Sequence, residues 1–529
     1  MVGGGACAVC REAATQCCSG CRAVFYCGRD HQRQHWKSHR LHCLPHRVAH
    51  DPRLGRHLLA TRDIKAGEVV AQEAPVVLGP KVVTRPVCVG CLVRVSETDW
   101  HACSGCGWPL CGPECEGAAA HTAECRLMRD KGFRANLAFT PGKKEAAFCA
   151  IVPLRCLLLK ERDPAKYQSL MAMESHLNER RKTSLYSVYK HNIVGFIRNV
   201  LQLTQFDEET ILTIAAILDT NCFEIRKGGS KARGVYPTAA LMAHDCTPNT
   251  KHVFKGSDFT IKIIATSPIK KGDIISTSYT QALWGTIARR AHLKMSKCFD
   301  CVCRRCADPT EFGTYIGAIS CSKCKSSGNG ILDPDNESKM ISTDPLDPAA
   351  PWKCESCEHT IPGRQMAWGN DAMKQELDAV DVSRPEALEN FVEKYISALH
   401  PKNSFIVQAK YALSQIYGNG AGYELPELPE HLLNRKIELC HELLELADAL
   451  SPGMSTFRGL LLYDLQAAMV VQAKRDFEND KITKQNAQDI MGDAMKLLQE
   501  ASEILRQDPD MTDELQSKMT NLAKELELD

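Results

Sequence analysis

Apolar and polar positions change their period along the chain, and the changes mark out its elements. From Leu54 to Val70, two apolar runs flank the polar stretch Asp63 to Gly67, which predicts strand, turn, strand. Between 144 and 220 the apolar residues recur at three- and four-residue spacing, over Ala146 to Lys160 and again over Ser187 to Leu203, predicting helices. Asp207-Glu208-Glu209 reads as an acidic first turn leading into a helix over Ile211 to Leu218. Val253-Phe254 and Phe259 to Ala265 flank Lys255-Gly256-Ser257-Asp258 as a hairpin. Pro268 to Gly272 is a further turn before the run Asp273 to Tyr279. Residues 333 to 351, rich in Asp, Pro and Ser, predict a loop. Beyond about 366 the pattern is helical throughout: Pro385 to Leu399, Phe405 to Tyr417, Leu432 to Leu450, Ser455 to Ala473 and Gln485 to Arg506 are amphipathic. Their lengths suggest paired helices, although strict repeat signatures are absent.

The 529 residues are too many for one core, so several domains are expected. A formal net charge of +1 gives no global electrostatic case for binding nucleic acid. No apolar run is long enough to span a bilayer, so no membrane partner is expected. Met1 to Ala6 lacks the basic start and apolar run of a secretory leader, which predicts a reducing intracellular compartment. There, cysteines paired by two-residue spacers read as zinc ligands rather than disulfides.

Twenty-one of the 27 cysteines have metal-ligand spacing. Residues 7 to 43 hold Cys7, Cys10, Cys18, Cys21, Cys27, His31, His39 and Cys43, eight ligands that suit two tetrahedral sites. Residues 88 to 125 repeat the layout with Cys88, Cys91, Cys103, Cys106, Cys111, Cys115, His121 and Cys125. Cys301-x-Cys303-x2-Cys306 offers only three thiolates, and Cys246, some 55 residues earlier, is read as the fourth. Cys321, Cys324, Cys354 and Cys357 make one further four-cysteine site. Of the remaining six, Cys17, Cys149, Cys156, Cys298 and Cys440 are expected to be small buried hydrophobes, and Cys222 is set apart by the motif it sits in.

The first cluster resembles a MYND finger, with Tyr26-Cys27, Gln32 and Trp36 before His39. The run from Leu54 to Pro75 resembles the start of a SET domain. Asn221-Cys222-Phe223, His244-Asp245-Cys246, Ile274 to Tyr279 and Phe299 to Cys306 resemble its later segments in order. Together they resemble the SET and MYND domain-containing (SMYD) protein-lysine methyltransferases. They also resemble the divergent arthropod SmydA class, with an extra N-terminal finger. The resemblance implies an α+β fold: a β-rich SET domain with a pseudoknot, zinc-stabilised MYND fingers and post-SET segment, and a C-terminal tetratricopeptide-like helical domain. It places an N-terminal MYND finger at 1–46, the SET N-terminal part at 47–87, a second MYND-like finger at 88–125 and a helical insert at 126–220. The SET core follows at 221–282, post-SET at 283–310, a zinc-ribbon-like segment at 311–365 and the helical C-terminal domain at 366–529. It also implies interleaved ligand sets: Cys7, Cys10, Cys27, His31 against Cys18, Cys21, His39, Cys43, and Cys88, Cys91, Cys111, Cys115 against Cys103, Cys106, His121, Cys125.

What the resemblance implies for function is S-adenosylmethionine-dependent methylation of lysine on histone or other proteins, in nucleus and cytoplasm, linked to gene expression. Gly55, Arg56, Asn221, His244, Tyr279 and Phe299 are the implied cofactor residues. Tyr279 is the implied catalytic residue, orienting an amine that must first lose its proton from a pKa of about 10.4. The N-terminal finger would take peptide or co-regulator partners, while the second lacks the aromatic before Cys111 and reads as structural. Two positions depart from the family pattern. His57 stands where it has glycine, and Ala243 where it has an asparagine. One hydrogen bond lost to a charged cofactor costs about 1.5–3 kcal/mol. Weaker cofactor binding is therefore expected, and a zinc-finger scaffold with a degenerate SET fold is the alternative.

Overall fold

Residues 5–18, 24–40, 43–144, 146–227, 229–326 and 338–527 are described by the computed structural model. A short parallel pairing closes the central sheet: Ala243–His244 lies beside Ile274–Thr277, with Ala243 opposite Ser276 and His244 opposite Thr277. Ile274–Thr277 also pairs antiparallel with Gly55–Ala60, which pairs in turn with His46–Asp51. Segments about 215 residues apart in sequence, at Leu59 and Ile274, thus become neighbours, and Tyr279, two residues beyond the strand, comes to rest against His244. Two three-stranded sheets complete the β-rich body. One joins Val77–Pro80, Ser230–Val235 and Cys222–Lys227; the other joins Val69–Glu73, Thr260–Ala265 and Thr250–Lys255. Their apolar faces meet in a core containing Leu58, Val70, Ile225, Tyr236, Ile261, Ile263 and Ile275.

Several boundaries differ from those the pattern predicts. The helix expected from Ala146 begins at Ile151 (Ile151–Arg162), because Pro153 has no N–H to give and is tolerated only in a first turn. The run expected over Ser187 to Leu203 is an α-helical turn, Ser184–Val188, continuing into wide π-type turns over Tyr189–Val200. The loop expected over 333–351 contains the strand Lys339–Ser342; residues 333–337 lie outside the described residues. The strand His46–Asp51 and the hairpin of Cys222–Lys227 with Ser230–Val235 give no clear two-residue alternation in sequence.

The two fingers are held differently. The second shares one core with the helical insert: Val87, Val89, Trp108 and Leu110 pack with Phe148, Leu154, Ile193 and Ile211. Among the described residues the first has little core of its own, with Ala14 and Tyr26 buried alongside Cys7, Cys18 and Cys43. So few apolar side chains cannot offset the chain entropy, and metal binding must supply the folding free energy.

The C-terminal helices, Gly363–Ala379, Pro385–Tyr395, Ser404–Ile416, Glu430–Leu450, Thr456–Glu478, Lys484–Leu505 and Thr512–Glu527, stack in sequence order. Three polar contacts pin them to the sheet body. Met454 N–H donates to the Thr266 carbonyl (2.8 Å), Lys251 Nζ to the Ile504 carbonyl (2.6 Å) and Gln507 Nε2 to the Gly67 carbonyl (2.7 Å). Among the described residues, no helix is long and apolar enough to cross a membrane.

Candidate active site and metal centres

Among the described residues, several sets of four donors converge. Cys7, Cys10, Cys27 and His31; Cys88, Cys91, Cys111 and Cys115; Cys103, Cys106, His121 and Cys125; Cys246, Cys301, Cys303 and Cys306; and Cys321, Cys324, Cys354 and Cys357 each bring their ligand atoms within 4.8 Å of one another. Sulfur separations of 3.4–3.8 Å, as between Cys111 and Cys115, Cys246 and Cys306, or Cys321 and Cys357, are far too long for a disulfide. They approach the edge of about 3.8 Å that a tetrahedron with metal–sulfur bonds of ~2.3 Å requires. The donor chemistry and spacing therefore fit zinc. For the remaining set, Cys18 and Cys43 lie 3.3 Å apart and His39 is buried nearby, while Cys21 falls outside the described residues.

The metal sites are tied into the body by buried charges. Glu124 accepts from Arg155 Nε (2.9 Å) and lies 3.4 Å from Nδ1 of the ligand His121. Arg155 also donates to the carbonyls of Leu78 and Val89, both at 2.7 Å. The second finger, the helical insert and a SET strand thus meet at one guanidinium. Of the cysteines outside the sets, Cys149, Cys156 and Cys440 are buried as expected. Cys17 and Cys298 are only half-buried, because each sits at the edge of a zinc-bearing or loop segment rather than in a core.

A cavity of about 980 Å³ opens between the sheets, the helical insert and the C-terminal helices. Gly55, Arg56, Asn221, His244, Tyr279 and Phe299 all line it, although they come from widely separated segments. Gly55 has φ +68, a conformation that side chains with a Cβ rarely take. Asn221 spends both amide hydrogens on the carbonyls of Glu174 (2.8 Å) and Ile217 (2.7 Å), leaving its side-chain oxygen for a ligand. Tyr279 donates its hydroxyl to the Met242 carbonyl (2.5 Å), and burial pushes its phenol up to about 12. It is a donor at neutral pH, and it does not act as a base. Burial likewise pushes His244 and His252 down to about 4, so both rings are neutral.

His57 does not reach this cavity. It follows Arg56 in the strand Gly55–Ala60, where successive side chains face opposite ways. The ring is buried, with Nδ1 3.1 Å from the Gly55 carbonyl. The cost expected from replacing the family's glycine is therefore not paid at the cofactor face. Ala243, by contrast, is among the lining residues, and its side chain has no hydrogen-bonding group to offer.

Several further lining residues were not named as site residues from the sequence, although Phe223 lies in the Asn221-Cys222-Phe223 motif and Phe254 in the expected hairpin. Phe223, His252 and Phe254 form a wall of edge-to-face rings, with Phe223 and His252 centred 5.3 Å apart. Lys297 lies 5.5 Å above the Tyr279 ring and donates to the Thr220 carbonyl (2.6 Å); burial lowers its pKa. Thr456, Asp508 and Asp510 reach the mouth from the C-terminal helices. The alternation of Thr250–Lys255 could have flagged His252 and Phe254, whereas nothing local marks Lys297 or Asp508.

Family models for the MYND finger and the SET domain match residues 7–43 and 55–280. The SET domain-containing protein SmydA-8, isoform B, of Drosophila melanogaster is 29% identical over 437 residues, covering 79% of this chain and 90% of that protein. The N-lysine methyltransferase SMYD2 of Gallus gallus is 26% identical over 267 residues, 48% of this chain and 58% of that protein. A solved structure of the SET domain of LSMT bound to lysine and AdoHcy is 12% identical with a TM-score of 0.31, covering 93% of this chain and 92% of that one. With a zinc-ligating finger ahead of a SET domain whose cavity is built from its own signature segments, the chain is a SET-domain protein with a MYND finger. It is similar to SMYD proteins, the SmydA-8 isoforms among them.

Proposed function

We propose that this chain is an S-adenosylmethionine-dependent protein-lysine N-methyltransferase acting on histone or other protein lysines. One observation carries the reading: Gly55, Arg56, Asn221, His244, Tyr279 and Phe299 line a single cavity of about 980 Å³. That volume suits a nucleoside-sized cofactor together with a lysine side chain. S-adenosylmethionine, when bound, supplies a methyl group on an electrophilic sulfonium. The chain's own residues position the amine and exclude water. Phe299 would cover the adenine face, and Asn221 and the main chain at His244 would hold polar edges of the cofactor. Tyr279, protonated and aimed at the inner end of the cavity, orients the amine by hydrogen bonding. The amine's proton goes to solvent, since neither the phenol nor the neutral imidazoles can be the resident base at the amine's own pKa. On this reading the N-terminal finger recruits peptide or co-regulator partners, and the protein works on gene expression in nucleus and cytoplasm.

A second reading rests on Ala243, a cavity-lining residue with no side-chain amide to bond the cofactor. There the chain is a zinc-finger scaffold with a SET fold that no longer turns over. Calorimetric titration with S-adenosylmethionine separates the two. The methyltransferase reading expects saturable heat at micromolar to sub-millimolar cofactor. No heat at millimolar cofactor, with zinc content verified, overturns it.

A further inference from the structure

The side chain of His244 touches two things at once. The main-chain N–H of Tyr279 lies 3.0 Å from His244 Nδ1. A backbone N–H can only donate, so Nδ1 is the acceptor and the ring proton sits on Nε2. Nε2 in turn lies 3.3 Å from Sγ of Cys246, one of the four metal-site sulfurs. The ring also packs against Tyr279 and Phe299, with centroids 5.2 and 5.9 Å away.

The sulfur at the far end is itself braced. Arg289, completely buried, donates Nε to Cys246 Sγ (3.2 Å) and Nη2 to Cys306 Sγ (3.4 Å) and Thr286 Oγ1 (2.9 Å). Its Nη1 donates to Glu311 Oε2 (2.7 Å) and to the Trp284 carbonyl, and Glu311 also accepts from Arg305 Nε (2.9 Å). All five guanidinium hydrogens are used. A guanidinium cannot accept, so the two sulfurs are acceptors with thiolate character, as metal ligands must be.

We infer that His244 is a positioning residue that ties the main chain at Tyr279 to the metal-ligating sulfur of Cys246, so that the metal site sets where the Tyr279 hydroxyl lies. The role belongs to the imidazole side chain and is separate from any contact its backbone makes. Its kinetic consequence rests on the methyltransferase reading.

The two ring nitrogens can be replaced one at a time in the full-length, cadmium-113-loaded protein. In His244→Asn the amide reaches the place of Nδ1 but not that of Nε2; in His244→Gln it reaches the place of Nε2 but not that of Nδ1. Three readouts apply: cadmium resonances, amide exchange of the peptide spanning Tyr279, and steady-state methyl transfer. His244→Asn should shift one cadmium resonance and, with the tie to the sulfur cut, lower kcat about tenfold or more, while exchange at Tyr279 stays within about threefold of the parent. His244→Gln should leave the resonances in place and speed exchange at Tyr279 about tenfold or more. It should also lower kcat about tenfold or more, with KM for S-adenosylmethionine within about threefold. Any pattern in which the cadmium and exchange readouts move together in both variants, or stay still in both, overturns the inference. Should the parent transfer no methyl group, the proposed function fails, while the cadmium and exchange readouts still decide the role of His244.

Discussion

At the residue scale, the cavity makes different demands on three positions. Tyr279 holds its phenol protonated through burial and aims it at the Met242 carbonyl, from which a bound amine can compete it away. Tyr279→Phe should lower methyl transfer about a hundredfold or more, because it removes the oriented hydroxyl, and leave cofactor affinity nearly unchanged. Transfer of a labelled methyl group, with calorimetry alongside, checks both halves. Ala243→Asn restores an amide at the cavity wall and should tighten S-adenosylmethionine binding by about 1.5–3 kcal/mol, ten- to a hundredfold in Kd. His57→Gly makes the opposite case. The ring is buried away from the cavity, so cofactor affinity should hold within about twofold while stability to urea falls by roughly 1–3 kcal/mol. An affinity change in that variant would mean that His57 does reach the cofactor face.

At the scale of elements, the parallel pairing of Ala243–His244 with Ile274–Thr277 does most to build the site. It sets His244 beside Tyr279 and places Cys246 within reach of Cys301, Cys303 and Cys306. The second finger is bound just as firmly, through Arg155 and Glu124. Both are almost wholly buried, so removing the guanidinium strands a carboxylate in the core. Arg155→Met should cost about 3–5 kcal/mol in chemical denaturation, far more than a surface ion pair such as Lys270–Asp63 would. The helices and zinc spacings were legible from period and spacing, because both are local properties. The start at Ile151 was legible too, once Pro153 is given its weight. The two-stranded contact of Ala243–His244 was not, since two residues are too few for any period and the partner lies more than 30 residues away.

At the scale of the molecule, metal and fold depend on each other. Metal analysis of the full-length protein should find close to six zinc ions, five for the clusters described and one for the set containing Cys18, His39 and Cys43. A count near four would mean that the finger ligands serve one site per finger. Stripping zinc with a strong chelator should abolish the calorimetric signal for S-adenosylmethionine, because Phe299 sits two residues from the ligand Cys301 and loses its place with it. Re-adding zinc should restore the signal if the C-terminal helices, pinned at Thr266, Ile504 and Gly67, keep the sheet body folded meanwhile.

By itself the chain determined its metal chemistry and the order of its signature segments. Thiolates and imidazoles paired at two- and three-residue spacers can hardly serve another purpose, and short spacing is written directly in sequence. Only the tertiary structure decided which side chains look into the cavity: Ala243 and His252 do, and His57 does not. It also decided that a wholly buried Arg289 would spend all its hydrogens around two ligating sulfurs. The reason is geometric. A side chain's direction follows from strand pleat and pairing register, and those are set by contacts between segments up to a few hundred residues apart.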